Sequence, residues 1–386
     1  MKRIGKLFIW LLLVVLATVV SSCHDAADDY KAGMAAGKKG DWDGAIIDFN
    51  KAIELQPGFV EALRARGIAK KQIGDIDDAI SDYNRAIELK PDFGSAYLAR
   101  GIAKRDKGDL NGAMEDFDKA IALRCPDESE AYVRRGMVKS ARRDYDGAIT
   151  DYNAAIYLLP TYEWAYYDRG IAKMRKGDLD AAIADFTKSI ELRWDFTNAY
   201  IDRGIAERRK DNLDAAIADY TVSIRLQPNR PGTYLDRGIA RERKGDVEGG
   251  IADFTRAIEL KPNYTNAYNY LAWCECLKGN FDDAIKDANR AIQLDPKYGY
   301  AYGTRGWARY GKGDTAGARE DCQKAIELDP TDSSLAAQDQ GLLEFMDGDF
   351  PKAVDSWESA LAKNASLRVE LQPWIEKAKA KQTSGN

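Results

Sequence analysis

The chain has 386 residues, of which 45% are hydrophobic and 31% charged, and its formal net charge at pH 7 is −5. This mildly acidic, evenly mixed composition argues against a nucleic-acid-binding protein, because such proteins concentrate lysine and arginine in patches. The sequence contains one histidine and five cysteines, and it shows no nucleophile–base pair, metal-ligand set or phosphate-binding loop. We therefore expect neither an enzyme nor a cofactor.

The first 22 residues have the pattern of a secretory signal peptide. Lys2, Arg3 and Lys6 precede a continuous apolar run from 7 to 20, which is followed by two serines and Cys23. A basic start, a short apolar core and small residues are typical of such a signal. The apolar run is shorter than the ~20 residues that a membrane-spanning helix needs. An ordinary cleaved signal and an uncleaved anchor are the alternatives to the interpretation that follows.

The segment from Val20 to Cys23 resembles a bacterial lipobox. This resemblance implies that Cys23 is lipidated and becomes the first residue of the mature protein. His24, in place of an aspartate after the cysteine, implies sorting to an outer membrane, facing the periplasm, if the organism has one. Residues 23–29 would form the lipidated end and a short tether, reaching at most ~20 Å from the membrane. We thus expect a lipid-anchored protein of the bacterial cell envelope.

A small residue recurs every 34 residues along the rest of the chain, with one-residue insertions after the third and the ninth of ten positions. The positions are Gly33, Gly67, Gly101, Gly136, Gly170, Gly204, Gly238, Ala272, Gly306 and Gly341. A fixed period between 20 and 50 residues is typical of a solenoid of small supersecondary units, and not of a globular domain with one buried site.

The seventh unit shows what repeats. Tyr234, Gly238 and Ile239 have the spacing of one face of a helix. The Lys-Gly-Asp segment at 244–246 predicts a turn, because glycine tolerates the left-handed conformation after a helix and aspartate favours turns. A second amphipathic helix follows, and Pro262 ends it. Each unit is therefore predicted to be an antiparallel pair of helices.

These units resemble the tetratricopeptide repeat, whose pattern is an aromatic, a small residue four later, an alanine, an aromatic, an alanine and a proline. In the second unit these positions hold Leu63, Gly67, Ala79, Tyr83, Ala86 and Pro91. In the fifth unit they hold Tyr166, Gly170, Ala182 and Phe186, with Ser189 and Trp194 departing from the pattern. The resemblance implies an all-α, right-handed α-solenoid, or superhelix, with an inner groove lined by the first helix of each unit. The ten expected units are 26–59, 60–93, 94–128, 129–162, 163–196, 197–230, 231–264, 265–298, 299–333 and 334–367.

Residues 368–386 are expected to form a capping helix and a tail, because the last repeat of such an array needs a polar-faced cap. Pro373 suits the first turn of that helix, and Trp374 and Ile375 suit its buried side.

The cysteines of the repeats are expected to be structural. Cys274 and Cys276 lie two residues apart on one predicted helix, so they point to different sides and form neither a chelate nor a disulfide. Cys274 and Cys322 stand where other units have alanine or an aromatic residue, which predicts buried thiols. Cys125 lies in the turn that contains the first insertion, and the sequence leaves its exposure open.

Most units carry an arginine before the glycine and an aspartate before the second-helix aromatic. The arginines are Arg66, Arg100, Arg135, Arg169, Arg203, Arg237 and Arg305. The aspartates are Asp48, Asp82, Asp116, Asp151, Asp185, Asp219, Asp253, Asp287 and Asp321. We predict an Arg–Asp ladder between packed helices, since a ligand contact would rarely repeat in every unit. Ala32 and Leu271 leave gaps, and Gln340 and Ser356 replace both partners in the last unit. Whether each aspartate meets the arginine of its own repeat or of the next stays open.

The resemblance assigns the inner face to the fifth, ninth, twelfth and thirteenth residues of each unit, counting the glycine as the eighth. The fifth and ninth positions give an apolar stripe of Leu98, Ile102, Val133, Met137, Tyr167, Ile171, Ile201, Ile205, Leu235 and Ile239, followed by Trp273 and Trp307. One side of it is bordered by Asp168, Asp202 and Asp236, and the other by Arg175, Arg209 and Arg243. Such a track suits an extended or helical peptide. The alternative is that these aliphatic side chains pack between adjacent first helices. The lysine–asparagine pair with which the family clamps C-terminal carboxylates is missing here, since those positions hold Arg64 with Ile68 and Leu98 with Ile102.

These features favour a non-catalytic scaffold or adaptor that is lipid-anchored in the envelope and binds a protein or peptide partner in its groove. The first alternative is a structural or self-associating solenoid without a groove ligand. An enzyme or a binder of small ligands is a remote alternative.

Overall fold

The computed structural model describes residues 25–328 and 333–384, and this part of the chain contains helices and turns without a strand. The predicted signal peptide and Cys23 lie outside the described residues. The chain divides into two compact units, one ending at Gly177 and the other beginning at Asp178.

The first unit consists of consecutive helices that each pack against the next one along the chain. They are α1 (Ala26–Lys38), α2 (Trp42–Leu55), α3 (Val60–Gln72), α4 (Ile76–Leu89), α5 (Gly94–Asp106), α6 (Leu110–Ala122), α7 (Glu128–Ala141), α8 (Tyr145–Leu158) and α9 (Glu163–Lys176).

The second unit continues the same alternation of short helices and tight turns, with each helix again packed against its successor. Its helices are α10 (Leu179–Leu192), α11 (Thr197–Arg209), α12 (Leu213–Leu226), α13 (Pro231–Arg243), α14 (Val247–Leu260), α15 (Thr265–Leu277), α16 (Phe281–Leu294), α17 (Gly299–Lys312), α18 (Thr315–Leu328), α19 (Ser333–Met346), α20 (Phe350–Lys363) and α21 (Arg368–Ser384). The prediction of an all-α chain of helix pairs is confirmed.

The periodic glycine is required by the close approach of an aromatic ring from the second helix of the pair. A Cβ atom at Gly67 would lie 2.5 Å from the ring of Tyr83, and one at Gly238 would lie 2.5 Å from the ring of Phe254. In the eighth pair the glycine becomes Ala272, and the aromatic becomes Ala288. The smaller side chain of α16 leaves room for the extra methyl group, so the two helices can still pack closely.

The turn within each pair follows from its residues. In the seventh pair, Gly245 has φ of +91°, which an L-residue with a side chain rarely adopts. Asp246 then caps α14, because its carboxylate accepts a hydrogen bond of 3.0 Å from the backbone N–H of Gly249. The Lys-Gly-Asp segments are thus helix connectors.

The C-terminal helix α21 covers the last helix pair. Leu371, Ile375 and Ala378 are buried in one cluster with Trp357 of α20, and Trp374 packs against that cluster. The expectation that Pro373 lies in the first turn was wrong, because the helix begins at Arg368 after a 3₁₀ turn. The proline therefore lies inside the helix, where it removes one helical hydrogen bond.

The cysteines of the described residues are free thiols. Cys274 and Cys322 are fully buried, as predicted, and Cys125 is also buried. Burial raises the pKa of Cys276 to about 12, so this thiol stays protonated at neutral pH. Among the described residues, no helix is both long enough and apolar enough to span a bilayer.

Candidate functional site

The Arg–Asp ladder joins the two helices of one repeat. In six repeats the guanidinium donates two hydrogen bonds of 2.5–2.9 Å to the carboxylate sixteen residues later. The pairs are Arg66–Asp82, Arg100–Asp116, Arg135–Asp151, Arg203–Asp219, Arg237–Asp253 and Arg305–Asp321. The question that the sequence left open is therefore answered for these six pairs: each aspartate meets the arginine of its own repeat.

Most ladder aspartates hold a second cation. The N–O distances of these further contacts are 2.8–3.0 Å, and their donors are Lys70, Lys104, Lys139, Arg241 and Arg309. Except for Arg66, which follows a leucine, the guanidinium of each ladder arginine also lies over a tyrosine three residues earlier, as Arg237 does over Tyr234 at 5.8 Å. The carboxylates of the six pairs are thus buried and paired, which assigns them to packing.

The ladder arginines also reach the preceding repeat, a contact that the sequence interpretation missed. The Nη1 atom of Arg100 donates to Asn84 at 2.7 Å, and the Nη1 atom of Arg237 donates to Thr221 at 3.1 Å. The same bond is made to Asn50, Asp118, Asn153, Thr187 and Asn289 by the arginine of the following repeat. A signal was present in the sequence, since asparagine, aspartate or threonine recurs two residues after the ladder aspartate.

The eighth repeat lacks this arrangement. Leu271 stands at the arginine position, and Glu275 replaces the second cation. Burial raises the pKa of Asp287 to about 6, with Lys286 opposing this and Asp283 and Glu275 adding to it. The ionised carboxylate of Asp287 therefore lowers the stability of the fold at neutral pH more than an arginine-paired ladder carboxylate does.

In the first unit, the predicted stripe is partly core. Leu98 and Val133 are buried, whereas Ile102, Met137, Tyr167 and Ile171 are half-buried. Ile102 and Met137 pack against core clusters beneath them. The part of this stripe that a partner could reach is consequently the ninth position together with Tyr167.

The predicted borders of the first unit differ in exposure. Asp168 is half-buried and Arg175 is exposed. Burial raises the pKa of Asp168 to about 7, while the positive charges of Arg134 and Arg105 lower it. The acidic border therefore contains a carboxyl group whose pKa lies near neutral pH.

In the second unit, Ile201, Ile205 and Ile239 are half-buried and Leu235 is buried. Asp202 and Asp236 are half-buried as well, and Arg208 lies 3.5 Å from Asp236. Burial raises the pKa of Asp236, with Arg208 opposing this and Asp202 adding to it. Arg209 is exposed, whereas Arg243 is half-buried and pairs with Asp211 at 2.8 Å.

Four of the predicted groove residues line one cavity of about 520 Å³ in the second unit. They are Ile239, Arg243, Trp273 and Trp307. The cavity is lined by residues of the last five repeats and by α21. The structure thus brings the C-terminal end of the predicted stripe into one partly open cavity.

Three carboxyl groups that the sequence interpretation did not assign also line this cavity: Glu242, Asp339 and Glu370. Glu242 occupies the twelfth position of its repeat, and Asp339 occupies the same position as the acidic border residues, so both could have been found from the repeat pattern. Glu370 lies on the capping helix, outside the period, and carries no such signal.

Among the described residues, no group of three or more histidine, cysteine, aspartate or glutamate side chains has the arrangement of a metal site.

The fold and its periodic pairs define a helical-repeat protein. Tetratricopeptide-repeat profiles match residues 30–92, 64–125 and 167–231, and further profiles of the same repeat match 141–177, 203–269, 265–298 and 299–332. The chain belongs to the tetratricopeptide repeat family. No curated protein matches it by sequence.

Solved structures share the fold. A tetratricopeptide repeat protein from Parabacteroides merdae has 17% identity, covers 63% of this chain and 95% of its own, and gives a TM-score of 0.50. Pseudomonas aeruginosa PilF has 16% identity, covers 55% and 96%, and also gives 0.50. The MamA protein is 30% identical over 43% of this chain and 91% of its own, with a TM-score of 0.38.

Proposed function

We propose that this protein is a non-catalytic scaffold that binds a peptide or protein partner along the first helices of its repeats. The observation that carries the proposal is the cavity in the second unit, where Ile239, Arg243, Trp273 and Trp307 meet. The arginines and aspartates that recur in the repeats pair with each other in the ladder. The side chains that vary between repeats therefore determine what is bound. Aromatic side chains in a concave site are typical of surfaces that bind peptides.

We further propose that the scaffold is lipid-anchored through Cys23 in a bacterial cell envelope, where it meets its partner close to the membrane. The sequence pattern around Cys23 supports this part of the proposal. Its test is incorporation of a labelled fatty acid into the full chain expressed in a bacterium. Labelling is expected for the wild type and not for Cys23→Ala; equal labelling of both would overturn the anchor.

The partner-binding part is tested by capture from envelope extracts, with the full chain kept in mild detergent. We compare the wild type with the double variant Ile171→Glu, Ile205→Glu, which places two carboxylates in the half-buried part of the stripe. A protein captured by the wild type and lost from a folded double variant supports the groove as the site.

The matched control is the double variant Ile47→Glu, Leu55→Glu. These residues are on the second helix of a pair, and 56% and 55% of their surface is exposed. The control should retain the partner. Retention by both double variants would contradict groove binding, and a stripe variant that loses its helix content would show that the stripe is core.

A further inference from the structure

The cavity of the second unit contains polar atoms that the protein itself leaves without a partner. Within the described part of the chain, Asp339 Oδ2, Asn269 Oδ1 and Trp273 Nε1 are buried and make no hydrogen bond. Asp339 is fully buried and Asn269 is 6% exposed. Buried polar atoms nearly always have partners, so three of them around one cavity of about 520 Å³ indicate a ligand.

One carboxyl oxygen of Asp339 accepts a hydrogen bond, and the other has no partner among the described residues. Its Oδ1 atom accepts a hydrogen bond of 3.1 Å from the indole of Trp307, which fixes the orientation of the carboxyl group. Its Oδ2 atom lies beside Gly303, where a Cβ atom would be only 2.7 Å away. The missing side chain at this glycine therefore leaves space beside Oδ2 that a Cβ atom would fill.

The cavity contains three carboxyl groups without an ion-pair partner in the described part of the chain. Glu242, Asp339 and Glu370 form no ion pair within 4 Å among the described residues, whereas both arginines of the cavity already have acidic partners outside this trio. Arg243 pairs with Asp211 at 2.8 Å, and Arg208 lies 3.5 Å from Asp236. A ligand that completes the site would thus bring a positive charge.

Aromatic side chains form the walls. Trp273 and Trp307 meet edge to face with ring centroids 6.1 Å apart, and Tyr270, Tyr298 and Tyr300 also line the cavity. Aromatic faces attract ammonium and guanidinium groups, and they pack against the methylene stems that carry them.

We propose that this cavity binds a lysine or arginine side chain of the partner peptide. The basic group would donate hydrogen bonds to Asp339 and Asn269, and a backbone carbonyl of the peptide would accept one from Trp273. A peptide supplies both kinds of group, whereas a free amine supplies only donors. This inference rests on the proposed function and gives the partner its chemistry at one position.

The protonation of the site supports this assignment. Burial raises the pKa of Asp339 to about 7, Trp307 lowers it and Asp321 raises it. Burial also raises the pKa of Glu242 and of Glu370, whose carboxyl groups interact directly with each other. Arg243 lowers both pKa values, and Glu242 raises the pKa of Glu370. Trp273 lies close enough to lower the pKa of Glu370 without reaching hydrogen-bond geometry.

The remaining charged or titratable groups around the site are Arg208, Tyr270, Tyr298 and Tyr300. Burial raises the pKa of Tyr270 and of Tyr298, and these phenols therefore stay neutral. A bound cation favours the ionised carboxylates, so binding releases protons and becomes tighter as the pH rises.

The test uses the full ¹⁵N-labelled chain in detergent micelles and the capped tripeptides Ac-Gly-Lys-Gly-NH₂ and Ac-Gly-Arg-Gly-NH₂. The neutral peptide Ac-Gly-Gln-Gly-NH₂ and methylammonium are the comparison ligands. The readout is the indole N–H signals of Trp273 and Trp307, assigned with Trp273→Phe and Trp307→Phe. We expect saturable shifts with at least one basic peptide, about tenfold tighter at pH 8 than at pH 6, and weaker binding of methylammonium. Equal shifts with the glutamine peptide, or tighter binding at pH 6, would overturn the proposal without any variant.

Two variants test the cavity by different means. Asp339→Asn removes the charge, and Gly303→Ala covers Oδ2 while keeping the charge; each is expected to weaken the basic peptide about tenfold or more. The matched control Glu358→Gln removes an exposed carboxylate that pairs with Lys379 at 2.8 Å and does not line the cavity. This variant should bind as the wild type does. Unchanged binding by both cavity variants would refute the site.

These outcomes are separable from those of the capture experiment. If the partner is lost from Ile171→Glu, Ile205→Glu and the wild type binds no basic peptide, the proposed scaffold function is supported and the proposed lysine or arginine pocket is refuted. If the wild type binds the basic peptide and that double variant retains the partner, the pocket is supported and the apolar stripe is refuted as the binding surface.

Discussion

Two sets of buried carboxyl groups differ only in what surrounds them. Asp253 of the ladder is 3% exposed and receives two hydrogen bonds from Arg237 and one from Arg241. Asp339 of the cavity is fully buried and receives one bond from an indole N–H. A buried carboxylate whose oxygens are all paired, such as that of Asp253, stabilises the packing of two helices. A buried carboxyl group with one unpaired oxygen, such as that of Asp339, still has an acceptor for a ligand.

The eighth repeat lies between these extremes. Asp287 has the ladder position without the ladder arginine, and burial raises its pKa to about 6. It shows that the repeat tolerates an incompletely paired carboxylate in an otherwise regular helix pair.

The largest expected effect comes from converting a ladder carboxylate into an unpaired one. Arg237→Leu removes the bidentate partner of Asp253 and leaves a buried charge with only Arg241 beside it. We expect a loss of about 3 kcal/mol in the free energy of unfolding, since breaking a buried pair typically costs 3–5 kcal/mol. Urea unfolding monitored by circular dichroism measures it. The double variant Arg237→Leu, Asp253→Asn should recover part of the loss; no recovery would show that the arginine acts by packing alone.

An effect of similar size, but of opposite sign, is expected at Asp339. The unfolded chain releases this proton near the ordinary pKa of 3.8, whereas the folded protein holds it until about pH 7. Stability therefore falls as the pH rises between these values and stays low above them.

Asp339→Asn lacks this dependence. Relative to the wild type, it should gain on the order of 3 kcal/mol between pH 4 and pH 8. Denaturant unfolding across that range measures the difference, with the exposed Asp355→Asn as the control. A parallel pH dependence in wild type and Asp339→Asn would contradict the pKa assignment.

The gap in the ladder can be repaired. Leu271→Arg should place a guanidinium against Asp287, lower the pKa of that carboxyl, and add about 1–2 kcal/mol of stability at pH 7. The carboxyl ¹³C shift of Asp287 and urea unfolding are the measurements. Leu271→Gln, which adds polarity without charge, is the control, and a variant no more stable than this control would argue against the repair.

The smallest effect concerns the bond between repeats. Asn84→Ala removes the acceptor for Arg100 Nη1 at 2.7 Å, and a part-buried bond to a charged donor is worth about 1–2 kcal/mol. Asn111→Ala, which removes an exposed contact with Arg142, should cost less than about 0.5 kcal/mol. Equal losses in the two variants would show that the buried bond is not special.

Much of the fold could be predicted because the same residue pattern occurs in ten units, so that a departure in one unit does not hide it. The close glycine–aromatic contact and the ladder are local relations within one helix pair, so Gly67 with Tyr83 or Arg66 with Asp82 stand at fixed spacings. The pairing of Arg100 with Asn84 was missed because it spans two repeats and uses a less constant polar residue.

The cavity could not be predicted for a different reason. Glu242 lies at an inner-face position and Asp339 at a border position, but the cavity that they line is completed by Glu370 of α21, which does not belong to the repeat. Pro373 was placed in the first turn of that helix because the preceding 3₁₀ turn has no distinctive sequence. A site closed by a non-repeating element escapes a periodic analysis.

The arginine that binds both its own repeat and the preceding one has a consequence for how the array unfolds. Each such side chain couples neighbouring repeats, so their opening should be cooperative. At Leu271 this coupling is interrupted, because leucine has no guanidinium to donate to Thr255 of the seventh repeat. Gln340 also lacks the guanidinium, but the last three repeats share one hydrophobic cluster with α21. The joint between the seventh and eighth repeats is therefore the natural boundary of a partially folded state, in which the last three repeats and α21 exchange their amide hydrogens as one group.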